Sequence, residues 1–278
     1  MTDSPDNIRA RMKELHSMLL ATVHSEGAAA LDGAALEAAA RGCCAWLRIF
    51  PEDRKTVMTV DSIREHCLLE LRTKQDNIRP DYALYCILAM YHAAYSPAVH
   101  PTDYSEAGQC DMEASRLLDA LIKRANGEEE TILMMQTATV LCSYLVPEDL
   151  EDEPVAEFFR TNASAWETVL SGQEWQGTAA EPVMMRRMAA LDAGADIFGT
   201  WHPALLPSPE QLSAPESLAA LCSILARRCC DPTALNAAGT ALQQHLSGHC
   251  TPACLASLLE ALSTLLLITE KGTALNCA

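Results

Sequence analysis

The stretch ESLAALCSILARRCCDPTALNAAGTALQQHL, residues 216–246, decides the fold class. Leu218, Leu221, Cys222 and Leu225 recur at helical spacing and mark one face of an amphipathic helix. Arg227-Arg228-Cys229-Cys230 closes that helix, and Asp231-Pro232 turns the chain. Leu235, Ala238 and Leu242 then mark a second helix, with Ala238 and Gly239 keeping the contact between helices small. Leu255, Leu258, Leu259, Leu262 and Leu266 open a third.

The same style extends through the chain. Ile8, Met12, Leu15 and Leu19 lie on one helix face, with Ser4-Pro5 as cap and first turn. Asp32 precedes an alanine-rich helix that runs to about Phe50. Ser62-Ile63-Arg64-Glu65 has the capping-box form and predicts a helix start near residue 61. Pro80-Asp81 opens a segment through Tyr95 that is apolar on nearly all sides, so this helix is expected to be buried on several faces. A helix over about 105–125 ends at Asn126-Gly127, and Glu128–Glu130 sit where the next helix dipole favours acids. In the second half, Pro154, Pro182, Pro209, Pro232 and Pro252 each fall near a helix start. Strand signals are nearly absent. The reading is an all-α chain of about eleven helices starting near residues 5, 33, 61, 80, 103, 128, 154, 181, 208, 232 and 252.

That spacing gives some 40–55 residues per helix pair, in the range of stacked helical hairpins. Residues 216–246 resemble a HEAT or armadillo repeat, although Asn236 stands where a Val-Arg type pair is common. The resemblance implies an irregular α-solenoid and a protein-binding scaffold. The expected organisation is one continuous domain over 1–278. The acidic loop Pro147–Pro154 divides it into possible sub-lobes, 1–146 and 154–278.

The chain has 278 residues, 20 basic and 37 acidic, a net charge of −17. Residues 1–139 carry 14 basic and 21 acidic groups, a net of −7; the remainder carries 6 and 16, a net of −10. Both halves would repel a phosphate backbone, so nucleic acid is excluded as principal partner and proteins with basic surfaces are favoured. The twelve cysteines follow an N-terminus, Met-Thr-Asp-Ser-Pro-Asp-Asn, with no apolar signal core. They point to an intracellular, reducing compartment, the cytoplasm first, with cilium and nucleus left open. No membrane span is expected, because Ala253–Ile268 is short and contains Glu260.

Short catalytic and cofactor motifs are missing: there is no Gly-x-Ser-x-Gly, His-Glu-x-x-His, Walker loop or Gly-x-Gly-x-x-Gly. No cofactor and no catalytic residue is assigned. His245, His249, Cys250 and Cys254 have approximate metal-ligand spacing, but Gly248 and Pro252 break the helix among them, so they stand only as weak metal candidates. The vicinal pairs Cys43-Cys44 and Cys229-Cys230 should each place one thiol in the core and one at its edge. Glu151, Asp152 and Glu153 of the acidic loop, with the loop tryptophans Trp175 and Trp201, are the candidate partner contacts; each tryptophan is alternatively a ring folded back over the core edge. The function expected is that of a non-enzymatic interaction scaffold or a subunit of a larger assembly. A second reading is an all-α enzyme or small-molecule binder, marked by an inter-helix pocket with Tyr82, Tyr85, His92 and His202. The third is a metal-binding module. A buried polar cluster in a pocket separates the second reading from the first.

Overall fold

The computed structural model describes residues 4–74, 77–96, 114–124, 127–142, 154–172, 174–200, 205–228, 231–245 and 251–271. Among the described residues every regular element is helical. The α-helices are α1 (Pro5–Glu26), α2 (Gly33–Leu47), α3 (Arg54–Thr73), α4 (Pro80–Ala94), α5 (described over 114–122), α6 (Glu128–Cys142), α7 (Pro154–Leu170), α8 (Glu181–Phe198), α9 (Pro215–Arg228), α10 (Pro232–His245) and α11 (Pro252–Lys271). Short 3-10 turns occupy Ala28–Ala30 and Pro209–Gln211.

Local chemistry explains most boundaries. The Ser4 hydroxyl accepts from the Asn7 N–H, and Asp32 accepts from Ala35 N at 2.7 Å, so each satisfies an orphan donor of the first turn. Two expected starts move. The α3 helix begins at Arg54, capped by Asp53, so Ser62 and Glu65 lie inside it rather than at its N-terminus. The segment expected as a helix from 208 splits: Ser208 and Gln211 form a capping box around a single 3-10 turn, and α9 begins at Pro215.

The helix pairings trace a closed circuit. Each neighbour in the order α2, α4, α6, α8, α9, α11 packs on the next, and α11 packs back on α2. Around these six, α1 covers α2 and α11, α3 covers α2 and α4, α7 covers α6 and α8, and α10 covers α9 and α11. In an open solenoid each repeat touches only its sequence neighbours. Here the last helix seals against the first two, so the open-ended stack implied by the repeat resemblance gives way to a ring. Helices on both sides of residues 147–154 build it.

The six inner helices run in parallel. Glu181, in the first turn of α8, accepts from the N–H groups of Ser213 and Ala214 just ahead of α9, while Asp192 far along α8 takes Arg227 and Arg228 at the end of α9. Glu129, in the first turn of α6, accepts from the Tyr85 hydroxyl in the second turn of α4 and from Arg186 in the second turn of α8. Arg9, near the start of α1, pairs with Glu270 near the end of α11, so α11 runs against α1 and with α2. The outer helices α3, α7 and α10 return the chain between inner ones, and the 3-10 turn Pro209–Gln211 lies between α8 and α9.

Tight seams close the ring. A Cβ on Gly42 would lie 2.5 Å from Leu19 Cδ2 and 3.2 Å from the Ala256 backbone, so glycine lets α1, α2 and α11 meet. The α4 helix, apolar all round, is buried along most of its length between α2, α3 and α6. Pro252–Glu270 is the one helix among the described residues long and apolar enough to cross a membrane by length and composition. Most of that stretch is buried within this fold against α1, α2, α9 and α10.

One buried cluster ties α1 to α2 and α3. The His16 ring stacks on Trp46 with centroids 4.2 Å apart and planes 2° from parallel. Thr56 Oγ1 donates to Asp53 Oδ2 at 2.9 Å and therefore accepts from His16 Nε2 at 3.1 Å; Trp46 Nε1 also donates to Asp53. Burial lowers the His16 pKa to about 4, with Lys55 adding to the shift and Asp53 opposing it. The folded chain thus disfavours protonated His16, which the unfolded chain accepts near 6.5. The His16 contribution is fully present above pH 6.5 and is lost as pH falls towards 4, by about 3 kcal/mol in all. Urea unfolding at pH 7 and pH 4.5 should show wild type losing far more stability than His16→Asn. Equal losses in the two proteins would exclude His16 as the source.

Candidate functional site

A cavity of about 610 Å³ occupies the centre of the ring. All six inner helices line it: α2 through Glu37 and Arg41, α4 through Tyr85 and His92, α6 through Gln136, α8 through Arg186, α9 through Ser223, and α11 through Glu260. Between these polar groups the wall is alanine and leucine, with Ala189, Ala193, Ala219, Ala220 and Ala226 keeping α8 and α9 thin on the cavity side.

At mid-height Arg41 joins α2, α9 and α11. Its Nη1 donates to Glu260 Oε2 at 2.7 Å and to Ser257 Oγ at 3.2 Å, with Ser223 Oγ at 3.5 Å. Its Nε forms an ion pair with Glu37 Oε1 at 2.9 Å, one helical turn earlier. His92 of α4 brings Nε2 to 3.6 Å from the same Glu37 oxygen. Burial alone would raise the Glu37 pKa, but Arg41 and then the His92 hydrogen bond outweigh it and lower it to about 2. Burial likewise disfavours charged Arg41, and the Glu260 and Glu37 carboxylates more than reverse this. The cluster is therefore two carboxylates on one guanidinium, with one negative charge that Arg41 does not balance in a part-buried wall.

The remaining charges in the wall have partners or lie at the rims. Arg186 makes a two-pronged contact with Glu129, both bonds 2.6 Å. Arg227 shares Asp192 with Arg228. Glu216 and Arg48 are exposed at opposite ends of the ring. Thr264 lines the cavity one turn beyond Glu260; it is 1% exposed and its Oγ1 has no hydrogen-bond partner.

Tyr85 and His92, expected in an inter-helix pocket, both line this cavity. Tyr82 lies elsewhere, in a separate pocket of about 300 Å³, where its hydroxyl meets His66 Nε2 at 3.1 Å. His202 lies outside the described residues, as do Trp201, Glu151, Asp152 and Glu153. Trp175 is not an exposed anchor: its ring is buried and its Nε1 approaches the Leu170 carbonyl at 3.5 Å. Of the metal candidates, His245 is exposed at the end of α10 and Cys254 is buried in the first turn of α11, while His249 and Cys250 lie outside the described residues. No group of three or more metal-ligating side chains occurs among the described residues.

Cys43 is buried and Cys44 half-buried, as adjacent helix positions dictate; Cys229 and Cys230 lie outside the described residues. Burial raises the Cys43 thiol and pushes Cys44 and Cys222 up to about 12. None of these three is poised as a thiolate nucleophile.

Glu37, Arg41, Ser223, Ser257, Glu260 and Thr264 were not singled out by sequence motifs. Two signals were present: Glu37 and Arg41 are an i, i+4 charge pair inside an alanine-rich helix, and Glu260 interrupts an otherwise apolar run. Comparison with protein-family models, curated proteins and solved structures finds no match.

Proposed function

We propose that this chain binds a small organic molecule in the cavity enclosed by its six inner helices. One observation carries the reading: the Glu37–Arg41–Glu260 cluster lies part-buried at mid-height beside open space. Burying three charges adds little to stability compared with a packed apolar core, and a cluster of this kind in a cleft marks a candidate site. The cavity volume falls within the range of about 300–1,000 Å³ typical of ligand pockets. Its alanine wall supplies apolar surface, and its polar groups converge from several helices. The scaffold reading rests on the acidic loop and Trp201, outside the described residues, and on Trp175, which faces inward. We place the protein in a reducing intracellular compartment, on its twelve cysteines.

The test is native mass spectrometry of the purified chain, followed by a thermal-shift screen of small metabolites. A bound compound, or a ligand that raises Tm by about 2 °C or more, is expected. Ala220→Phe, which projects a ring into the cavity, should abolish that binding and leave the helical circular dichroism unchanged. Failure to find any ligand in both experiments, or full binding by Ala220→Phe, would overturn the reading.

A further inference from the structure

Resting on the cavity as a ligand site, we infer that its ligand carries a primary or secondary amine, whose ammonium group seats between Glu37 and Glu260. Arg41 cancels one of the two negative charges, and with His92 uncharged beside Glu37 one unit remains at mid-height. Glu260 uses Oε2 for Arg41 and Ser223, and Glu37 uses Oε1 for Arg41 and His92. The second oxygen of each carboxylate meets no donor among the described residues and remains a free acceptor. Thr264 adds an independent sign of a missing polar partner, a buried hydroxyl with an unmet hydrogen bond one turn from Glu260. A protonated amine fits both features: its positive charge balances the cluster, and its N–H groups donate to carboxylate and hydroxyl oxygens.

The same features discriminate among ligands. A carboxylate or phosphate would face the uncompensated negative charge. Arg186 is paired one to one with Glu129, and Arg227, which shares Asp192 with Arg228, is 43% exposed, so its charge is screened by solvent. A quaternary ammonium donates no hydrogen bond and is held by aromatic cages, whereas Tyr85 is the one aromatic ring in the described lining other than His92. The alanine and leucine wall suits an aliphatic body attached to the amine. The chain's net charge of −17 also draws cations towards the mouth.

Isothermal titration calorimetry on the full chain tests this with four probes of equal chain length: hexylamine, 1,6-diaminohexane, hexyltrimethylammonium and hexanoate. The two amines should bind at least about tenfold more tightly than the other two. Glu260→Gln should remove about tenfold of that amine affinity, and Thr264→Val a smaller part. Because the four probes are compared on the unaltered protein, the result does not depend on a variant folding. Equal binding of hexanoate and hexylamine, blocked by Ala220→Phe, would overturn the amine while leaving the cavity as a ligand site. Absence of amine binding up to about 10 mM overturns the amine inference outright, and the metabolite screen then decides the fate of the cavity reading.

Discussion

Replacing Arg41 with methionine should lower the stability of the chain by about 3–5 kcal/mol, the largest loss expected from any single change in the ring. The variant leaves Glu37 and Glu260 facing each other without a counter-charge, in a place where water screens them poorly. One of the two must then take up a proton or the cavity must open. Either result loosens the contacts that hold α2 to α9 and α11. Urea unfolding at pH 7 measures the loss; a change below about 1 kcal/mol would mean that the cluster is solvated and not structural. The triple replacement Glu37→Leu, Arg41→Met, Glu260→Leu should recover most of the stability, because no buried charge remains unpaired. Its recovery together with loss of ligand binding would separate the two roles of the cluster. The same variant should also lose the acid sensitivity that Glu37 confers. The folded pKa of Glu37 lies below its unfolded value of 4.5, so its contribution is present above pH 4.5 and disappears as pH falls through about 2.

Gly194→Ala should cost about 3 kcal/mol, from steric strain rather than charge. Gly194 sits on the outward side of α8, next to Ala193, which lines the cavity. A Cβ there would lie 2.6 Å from Phe159 Cε2 and 2.8 Å from Cε1, and nearer still to Cζ. Phe159 cannot swing away, because it is fully buried and its ring stacks on Phe198 at 4.2 Å. The added methyl therefore pushes α7 off the ring. Phe159→Leu in the same chain should restore part of the loss by making room, so the two changes are non-additive. Gly194→Ala unfolding within about 0.5 kcal/mol of wild type would show that α7 packs more loosely than this contact requires.

These predictions fall on residues that sequence motifs did not mark, and the reason is distance along the chain. Arg41 and Ser257 are 216 residues apart, and Arg41 and Glu260 are 219 apart. Helical periodicity states which face of a helix is apolar, and it does so locally. It carries no information about which distant helix will cover that face. A charge pair such as Glu37 and Arg41 reads equally well as a solvated i, i+4 bridge or as the floor of a cavity. The shifted start of α3 has a similar origin. Ser62 and Glu65 have the composition of a cap, but Asp53 captures the Thr56 N–H earlier, and hydrophobic burial of Val60 and Ile63 carries the helix through both residues.

The sequence by itself determined the all-helical secondary structure and most of its punctuation, the starts of α3 and α9 excepted. Ser4, Asp32, Pro80, Pro154, Pro232 and Pro252 act on their own first turns, and periodic leucines act within a few residues; such short-range effects are written in the order of the amino acids. Only the tertiary structure decided that the helices close into a ring rather than extend as a stack. Closure depends on Gly42 admitting Leu19 and Ala256 to one seam, and on α2, α8, α9 and α11 presenting alanine to a common centre. Those contacts join the two ends of the chain, and their energy exists only once both ends are in place.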